Sequence, residues 1–245
     1  MIEMIMPFPS NFRTYAVKGV SVRMPSVTSI LHQFLPEADA LKWWKESHPD
    51  WKEIMNYRAA VGTLTHHKIA EYFAERFSLE KPEPLNVKRM GIDKITDQME
   101  IEAGAAMSYF DDFTNKFHLV PDAIETGVWH RIMKYAGTLD FKGKITFNGK
   151  TRRVILDWKT SSDIWESHEL QTVAYKQAVL SDPECKDKID SCVVVIVNPV
   201  KGLKIGRILD DKLAWDGFWA CFDRFQKLFR TVEEIVTIEE AGYYV

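Results

Sequence analysis

Residues 192–197, CVVVIV, are apolar at every position. A strand with one face in water alternates, so a short unbroken run rich in β-branched residues marks a strand buried on both faces. A sheet that buries such a strand carries helices on either side. The surrounding sequence fits that demand. Residues 123–129, 132–147 and 153–158 read as three successive strands, with Asn148-Gly149 as a tight hairpin turn between the last two. Residues 166–180 return to a helical pattern, residues 203–209 form a further strand, and residues 214–235 form a closing helix rich in Trp and Phe.

Upstream the pattern is mostly helical. Residues 15–23 alternate around Lys18-Gly19 as a short β-hairpin, and Ser26 is placed to cap an apolar run over 27–35. Trp43, Trp44 and Trp51 fall in a second helical stretch and are read as helix-packing residues. Ile69, Phe73 and Phe77 recur at helical spacing within residues 55–77. Lys81-Pro-Glu-Pro84 is a loop, and a long helix is expected over 92–117, burying Ile95, Met99, Met107, Phe110 and Phe113. The expected fold is a single α/β domain, a central mixed β-sheet flanked by helices with a helical N-terminal extension.

Composition excludes several classes. Three cysteines, Cys185, Cys192 and Cys221, form no CxxC pair, which argues against a zinc ribbon or a disulfide framework and for a reduced intracellular setting. No apolar stretch reaches the ~20 residues that span a bilayer, and the first residues lack the pattern of a secretory signal, so a soluble protein is expected. The net charge of −3 gives no global support for nucleic-acid binding. A function on DNA must therefore be argued from a local site.

That site is visible in Tyr135-Ala-Gly-Thr-Leu-Asp140 and Val154-Ile-Leu-Asp-Trp-Lys-Thr160. Asp140 and Asp157 fall at the ends of neighbouring strands. Lys159, two residues beyond Asp157, shares its face by the period-two alternation. Paired carboxylates can hold one or two Mg²⁺ ions that polarise a phosphate, and a lysine beside them can orient water or neutralise developing charge. Taken alone, Asp157 and Lys159 read equally well as a salt-bridged pair at a strand end. Glu125 on a half-exposed strand and the adjacent pair His66–His67 likewise need no function.

In order, Gly62-Thr-Leu-Thr-His66, Glu125, Gly137-Thr-Leu-Asp140, Asp157-Trp-Lys159 and Gln171-Thr-Val-Ala-Tyr175 resemble the RecB-like branch of the PD-(D/E)XK nuclease superfamily. With Pro25-Ser-Val-Thr-Ser-Ile-Leu31 upstream, the set is similar to phage-type exonucleases and the mitochondrial genome maintenance exonuclease. The resemblance implies a restriction-endonuclease-like core over residues 61–210, preceded by the hairpin and helical extension (1–60) and followed by a C-terminal helix and tail (211–245). It implies His66, Asp140, Asp157 and the Trp158 carbonyl as ligands of Mg²⁺ or Mn²⁺, and Lys159 as the catalytic lysine. Glu125 joins Asp140 and Asp157 as a catalytic carboxylate, outside the metal's immediate ligands or at a second ion. Gln171, Tyr175, Thr160, Ser161, Ser26 and Thr28 would bind DNA or support the lysine. Many relatives carry an arginine directly before the first motif's glycine; here Val61 stands there, with Arg58 one turn earlier. All three cysteines follow the core motifs, so no iron–sulfur cluster is expected.

The implied activity is metal-dependent exonucleolytic hydrolysis of DNA from single-stranded ends, in replication, recombination or repair. The implied partners are DNA and other replication or recombination proteins, without a membrane. The implied setting is the cytoplasm, the host's if the chain is phage- or virus-encoded. A flap endonuclease with the same centre and a non-catalytic DNA-end-binding module are the rivals. Lys201, Lys204 and Arg207 are read as a solvated edge and not a DNA track, and Tyr243-Tyr244 carries no assignment.

Overall fold

A computed structural model gives the structure of residues 12–208, apart from 19, 21, 22 and 187, and of residues 211–240, with side chains described to residue 228. Gly19 of the expected hairpin turn, Leu209 and Tyr243-Tyr244 lie outside the described residues. The elements run β1 (Thr14–Tyr15), β2 (Met24–Pro25), α1 (Val27–Phe34), α2 (Asp39–Ser47), α3 (Trp51–Phe77), α4 (Asp97–Lys116), β3 (His118–Trp129), β4 (Ala136–Phe147), β5 (Lys150–Lys159), α5 (Glu166–Leu180), β6 (Ser191–Asn198), β7 (Gly202–Arg207) and α6 (Asp211–Glu240). The expected hairpin is reduced to two short paired strands, Thr14 opposite Pro25 and Tyr15 opposite Met24.

The sheet has order β3-β4-β5-β6-β7, antiparallel throughout except for the parallel β5–β6 pair. A parallel neighbour needs a crossover, and α5 supplies it. The chain is thus an α/β fold with a mixed central sheet flanked by helices. On one face α3 and α4 bury Phe73, Phe110 and Phe113 against Phe141, Val154, Leu156 and Trp158. On the other, α1, α5 and α6 pack Ile30, Val173, Phe218 and Phe222 around Tyr135 and Cys192. β6 lies between them and is buried from Ser191 to Val197, as its unbroken apolar run requires. No helix among the described residues is long and apolar enough to cross a membrane.

Trp158 fixes β5 against the helices. Its indole is fully buried and meets Phe110 and Phe113 edge-on, with ring centroids at 5.3 and 5.7 Å. Such aromatic pairs add about 0.5–1.5 kcal/mol each beyond the area they bury.

Three sequence expectations change. The long helix starts at Asp97, because the Thr96 hydroxyl accepts from the Met99 amide and caps it there. The apolar residues ahead of the cap, Ile92 and Ile95, instead pack in the preceding loop against the α3–α4 cluster. β4 begins at Ala136, since residues 130–135 are taken by the turn from β3. The tryptophans are not core: α2 has no buried residue, Trp43 is 70% exposed, and Trp51 is half-buried at the start of α3.

Candidate active site

β4 and β5 are in register from the hairpin as far as Phe141 opposite Leu156, and there their ladder stops. Leu139 and Phe141 should share a face, being two residues apart, yet Leu139 joins the cluster under α5 and Phe141 the cluster under α4. Asp140 sits at this break. Its Oδ2 accepts from the Trp158 amide at 2.8 Å, so a carboxylate takes the place of a ladder carbonyl and ties the parting strands.

Three elements converge on that carboxylate. α3 brings His66, whose Nδ1 lies 3.3 Å from Glu125 Oε1 and 3.6 Å from Asp140 Oδ1. Its Nε2 lies 3.1 Å from the Trp158 carbonyl. Acceptors on both sides of the ring suit an imidazolium, which donates from both nitrogens. Burial alone would lower the His66 pKa, but the charges of Asp140 and Glu125 outweigh it and raise it to about 9. β3 brings Glu125, which holds φ at 44° within a strand. A left-handed backbone at a non-glycine residue costs on the order of 1–2 kcal/mol, and here it goes with a carboxylate delivered to the site.

Asp157 and Lys159 lie beside this group on β5. Asp157 is fully buried. Its Oδ1 accepts from Gln171 Nε2 at 3.2 Å, and its Oδ2 lies 2.5 Å from Lys159 Nζ without a well-directed hydrogen bond. Burial raises the Asp157 pKa to about 6 against the pull of Lys159. Burial likewise raises Asp140, with the charges of His66 and Lys159 opposing. Lys159 is raised in turn: burial would lower it, but Asp157 and Asp140 win. The second Gln171 amide hydrogen goes to Tyr175 Oη at 3.1 Å.

Two glycines allow this packing. A Cβ on Gly137 would stand 2.4 Å from Tyr175 Cε1, and one on Gly62 would stand 3.2 Å from Thr160 Oγ1. The glycine in each motif is therefore where α5 closes on β4 and where α3 closes on the end of β5.

The structure brings most of the sequence-derived residues together, with a different division of labour. Ligand atoms of His66, Glu125 and Asp140 all lie within 4.8 Å of one another, a set that could hold a metal ion. Asp157 is outside that set, turned toward Lys159 and Gln171. Thr28, Arg58, Thr160 and Ser161 line the same cleft of about 1120 Å³. Arg58 also donates to Glu102 at 2.5 Å, which ties it to α4. Ser26 is the exception: it is buried, and its hydroxyl accepts from the Ser29 amide, so it caps α1 and presents nothing to a ligand.

Residues given no site role in the sequence also line the cleft, among them Arg13, Tyr15, Trp44, Asn198 and Lys201. Lys201, on the expected solvated edge, is exposed, and the β6–β7 turn also brings it to the cleft. Asn198 holds that turn, accepting from the Val200 and Lys201 amides while its Nδ2 donates to the Thr160 carbonyl at 2.7 Å. Its position at the end of a buried strand beside the one carrying Lys159 was the available signal.

The donor set suits a hard divalent cation: carboxylate oxygens, one imidazole and a nearby backbone carbonyl. Charge agrees. Glu125, Asp140 and Asp157 exceed Lys159 and the His66 imidazolium by one formal negative charge, and by two once a divalent ion displaces the His66 proton.

No protein-family model matches this chain, and no curated protein sequence matches it. Among solved structures, the crystal structure of SSO0001 aligns at a TM-score of 0.32 and 10% sequence identity, covering 69% of this chain and 75% of that one. A likeness this loose carries no functional argument.

Proposed function

We propose that this chain is a Mg²⁺- or Mn²⁺-dependent deoxyribonuclease that shortens DNA from single-stranded ends, as its sequence resemblance to the RecB-like PD-(D/E)XK nucleases implies. The observation that carries the reading is the union, in one cleft, of the His66–Glu125–Asp140 group with the buried Asp157–Lys159 pair. Structural ion pairs have no need of a third and a fourth buried or half-buried ionisable group, and such clusters concentrate at catalytic sites.

His66, Glu125 and Asp140 would hold the ion, with the Trp158 carbonyl and Asp157 beside them. Such an ion, one or two in number, supplies polarisation of the scissile phosphate and acidification of a water molecule. The remaining work falls to the chain. Lys159 Nζ is the cation nearest the carboxylates and offers its hydrogens to a water molecule or to a phosphoryl oxygen as charge builds there. Asp157 keeps that ammonium charged and in place. Gln171 holds Asp157 from behind, and Tyr175 holds Gln171. DNA is the inferred partner, together with replication, recombination or repair proteins, and the inferred setting is intracellular and cytoplasmic.

The test is digestion of end-labelled linear and circular single-stranded DNA with Mg²⁺, Mn²⁺ or EDTA, beside Lys159→Ala. Metal-dependent shortening of linear DNA alone, lost in the variant, is the expected result. Cut circles would make the enzyme an endonuclease, and DNA left intact in every condition would overturn the nuclease reading.

A further inference from the structure

α2 poses a problem that folding does not answer. It carries adjacent tryptophans, yet none of its residues is buried. Leu41 and Trp43 are exposed, and so is Met55 just into α3, at 36%, 70% and 42%. Large apolar side chains left open to water, where they border a cleft, are candidates for contact with a ligand. Trp44, Ile54 and Met55 form part of the wall of the same cleft that holds His66, Asp140 and Lys159.

Trp44 is also held in position. Its indole stacks on His48 with centroids 4.7 Å apart and planes at 25°, and His48 Nδ1 bonds to the Trp44 carbonyl at 2.8 Å. A ring fixed on one face and bordering a cleft is a platform that loses little entropy when a second flat group joins it. The charges around it select the kind of ligand. Arg13 and Lys201 line the same cleft, and among the described residues neither has a carboxylate in ion-pair contact. A chain with net charge −3 thus presents these cations, Arg13 over the Tyr15 ring and Lys201 near Asp163, together with an apolar, aromatic wall in one cleft. Flat faces and regularly spaced anions are joined in one polymer, a nucleic acid strand. Its bases offer a face to an indole only when unpaired and unstacked.

We infer that Trp44, with Ile54 and Met55 beside it, is a stacking platform for unpaired bases, while Arg13 and Lys201 hold the phosphates of the same strand. The inference deepens the nuclease reading, since it makes recognition of single strands the work of a surface separate from the metal ligands. Duplex DNA, whose base faces are covered, engages only the cations.

The test uses full-length Lys159→Ala protein in EDTA, so that no strand is cut. Fluorescence anisotropy measures binding of an oligothymidine of ~12 nucleotides and of an abasic strand of equal length and charge. Adding Trp44→Ala should weaken oligothymidine binding on the order of tenfold and leave the abasic strand unchanged. Trp44→Phe should recover most of the loss. Arg13→Ala should weaken both strands alike. Oligothymidine binding indifferent to Trp44, or an equal loss on both strands, would overturn the platform. Cleavage by the wild type in Mg²⁺ is read separately. A protein that never cuts yet binds bases through Trp44 would sink the nuclease and support the platform, and one that cuts with binding indifferent to Trp44 would do the reverse.

Discussion

At the hairpin end, β4 and β5 stay paired to their last residues. Thr146 and Thr151 bond through their hydroxyls at 2.8 Å, and Asn148 and Gly149 take the two positive-φ positions of a tight turn. The strand residues flanking that turn are largely open to water, and it buries no charge. At the other end the same two strands part, and the gap is filled by Asp140, Asp157, His66 and Lys159, with Glu125 in a strained conformation opposite. The difference is instructive. One end satisfies the local rules of a tight hairpin and is supported from outside only by ordinary packing, such as Phe117 on Phe147. The other brings like charges together, shifts four pKa values, and stands only because α3 and α5 enclose it. Departures from self-consistency in an otherwise consistent fold collect where function is.

The sharpest way to break the contrast is to remove the charge. Lys159→Ala or Asp157→Asn should reduce DNA cleavage on the order of a thousandfold or more, while binding measured by anisotropy survives. Turnover near that of the wild type would mean the charged end is structural. Paired glycine replacements compare the two ends directly. Gly137→Ala drives a Cβ into the buried Tyr175 and should cost about 1–3 kcal/mol in denaturant unfolding. Gly149→Ala meets no atom within 4 Å and should cost only the strain of its positive φ, about 1 kcal/mol. Equal costs would show that the enclosure by α5 is loose.

pH offers a subtler comparison. His66 binds its proton more tightly folded than unfolded. In EDTA its contribution is fully present below about pH 6.5 and lost as pH rises through about 9. Between those limits stability should fall by up to about 1.4 kcal/mol per pH unit, and His66→Gln should flatten the slope. Asp157, raised by burial to about 6, binds extra protons in the folded state from about pH 4 to 6, so stability falls with rising pH there too. Stabilisation by Mg²⁺ should grow with pH as the ion and the His66 proton compete. Identical slopes in wild type and His66→Gln would remove the imidazolium from the account. Tyr175→Phe should be the mildest change, a loss of about tenfold or less in cleavage, because Gln171 still holds Asp157 without the phenol. A loss as large as that of Lys159→Ala would give the hydroxyl a direct part in the chemistry.

The parts legible in the sequence are those set by neighbours along the chain. Ser26 caps α1, Asn148-Gly149 makes its turn, β6 is buried on both faces, and the alternation of β5 puts Asp157 and Lys159 together. What was illegible depends on contacts distant in sequence. Pattern alone could not show that Ile92 and Ile95 pack from a loop, that Trp44 faces a cleft and not a core, or that Glu125 turns inward through a left-handed backbone. Lys201 is exposed, as a solvated edge requires, but that it also borders the cleft follows from the turn that Asn198 holds and could not be read from pattern.

Trp158 and Lys159 are consecutive residues facing opposite sides of the sheet, and only the first is locked by the rings of Phe110 and Phe113. The aromatic layer is therefore the datum from which the lysine's position is set, as a workpiece is located by the face clamped behind it. A chain that drifts to a smaller ring at Phe110 would lose accuracy before it lost its shape. Anyone redesigning this core for thermal endurance would be adjusting, unseen, the aim of the one ammonium group on the far side.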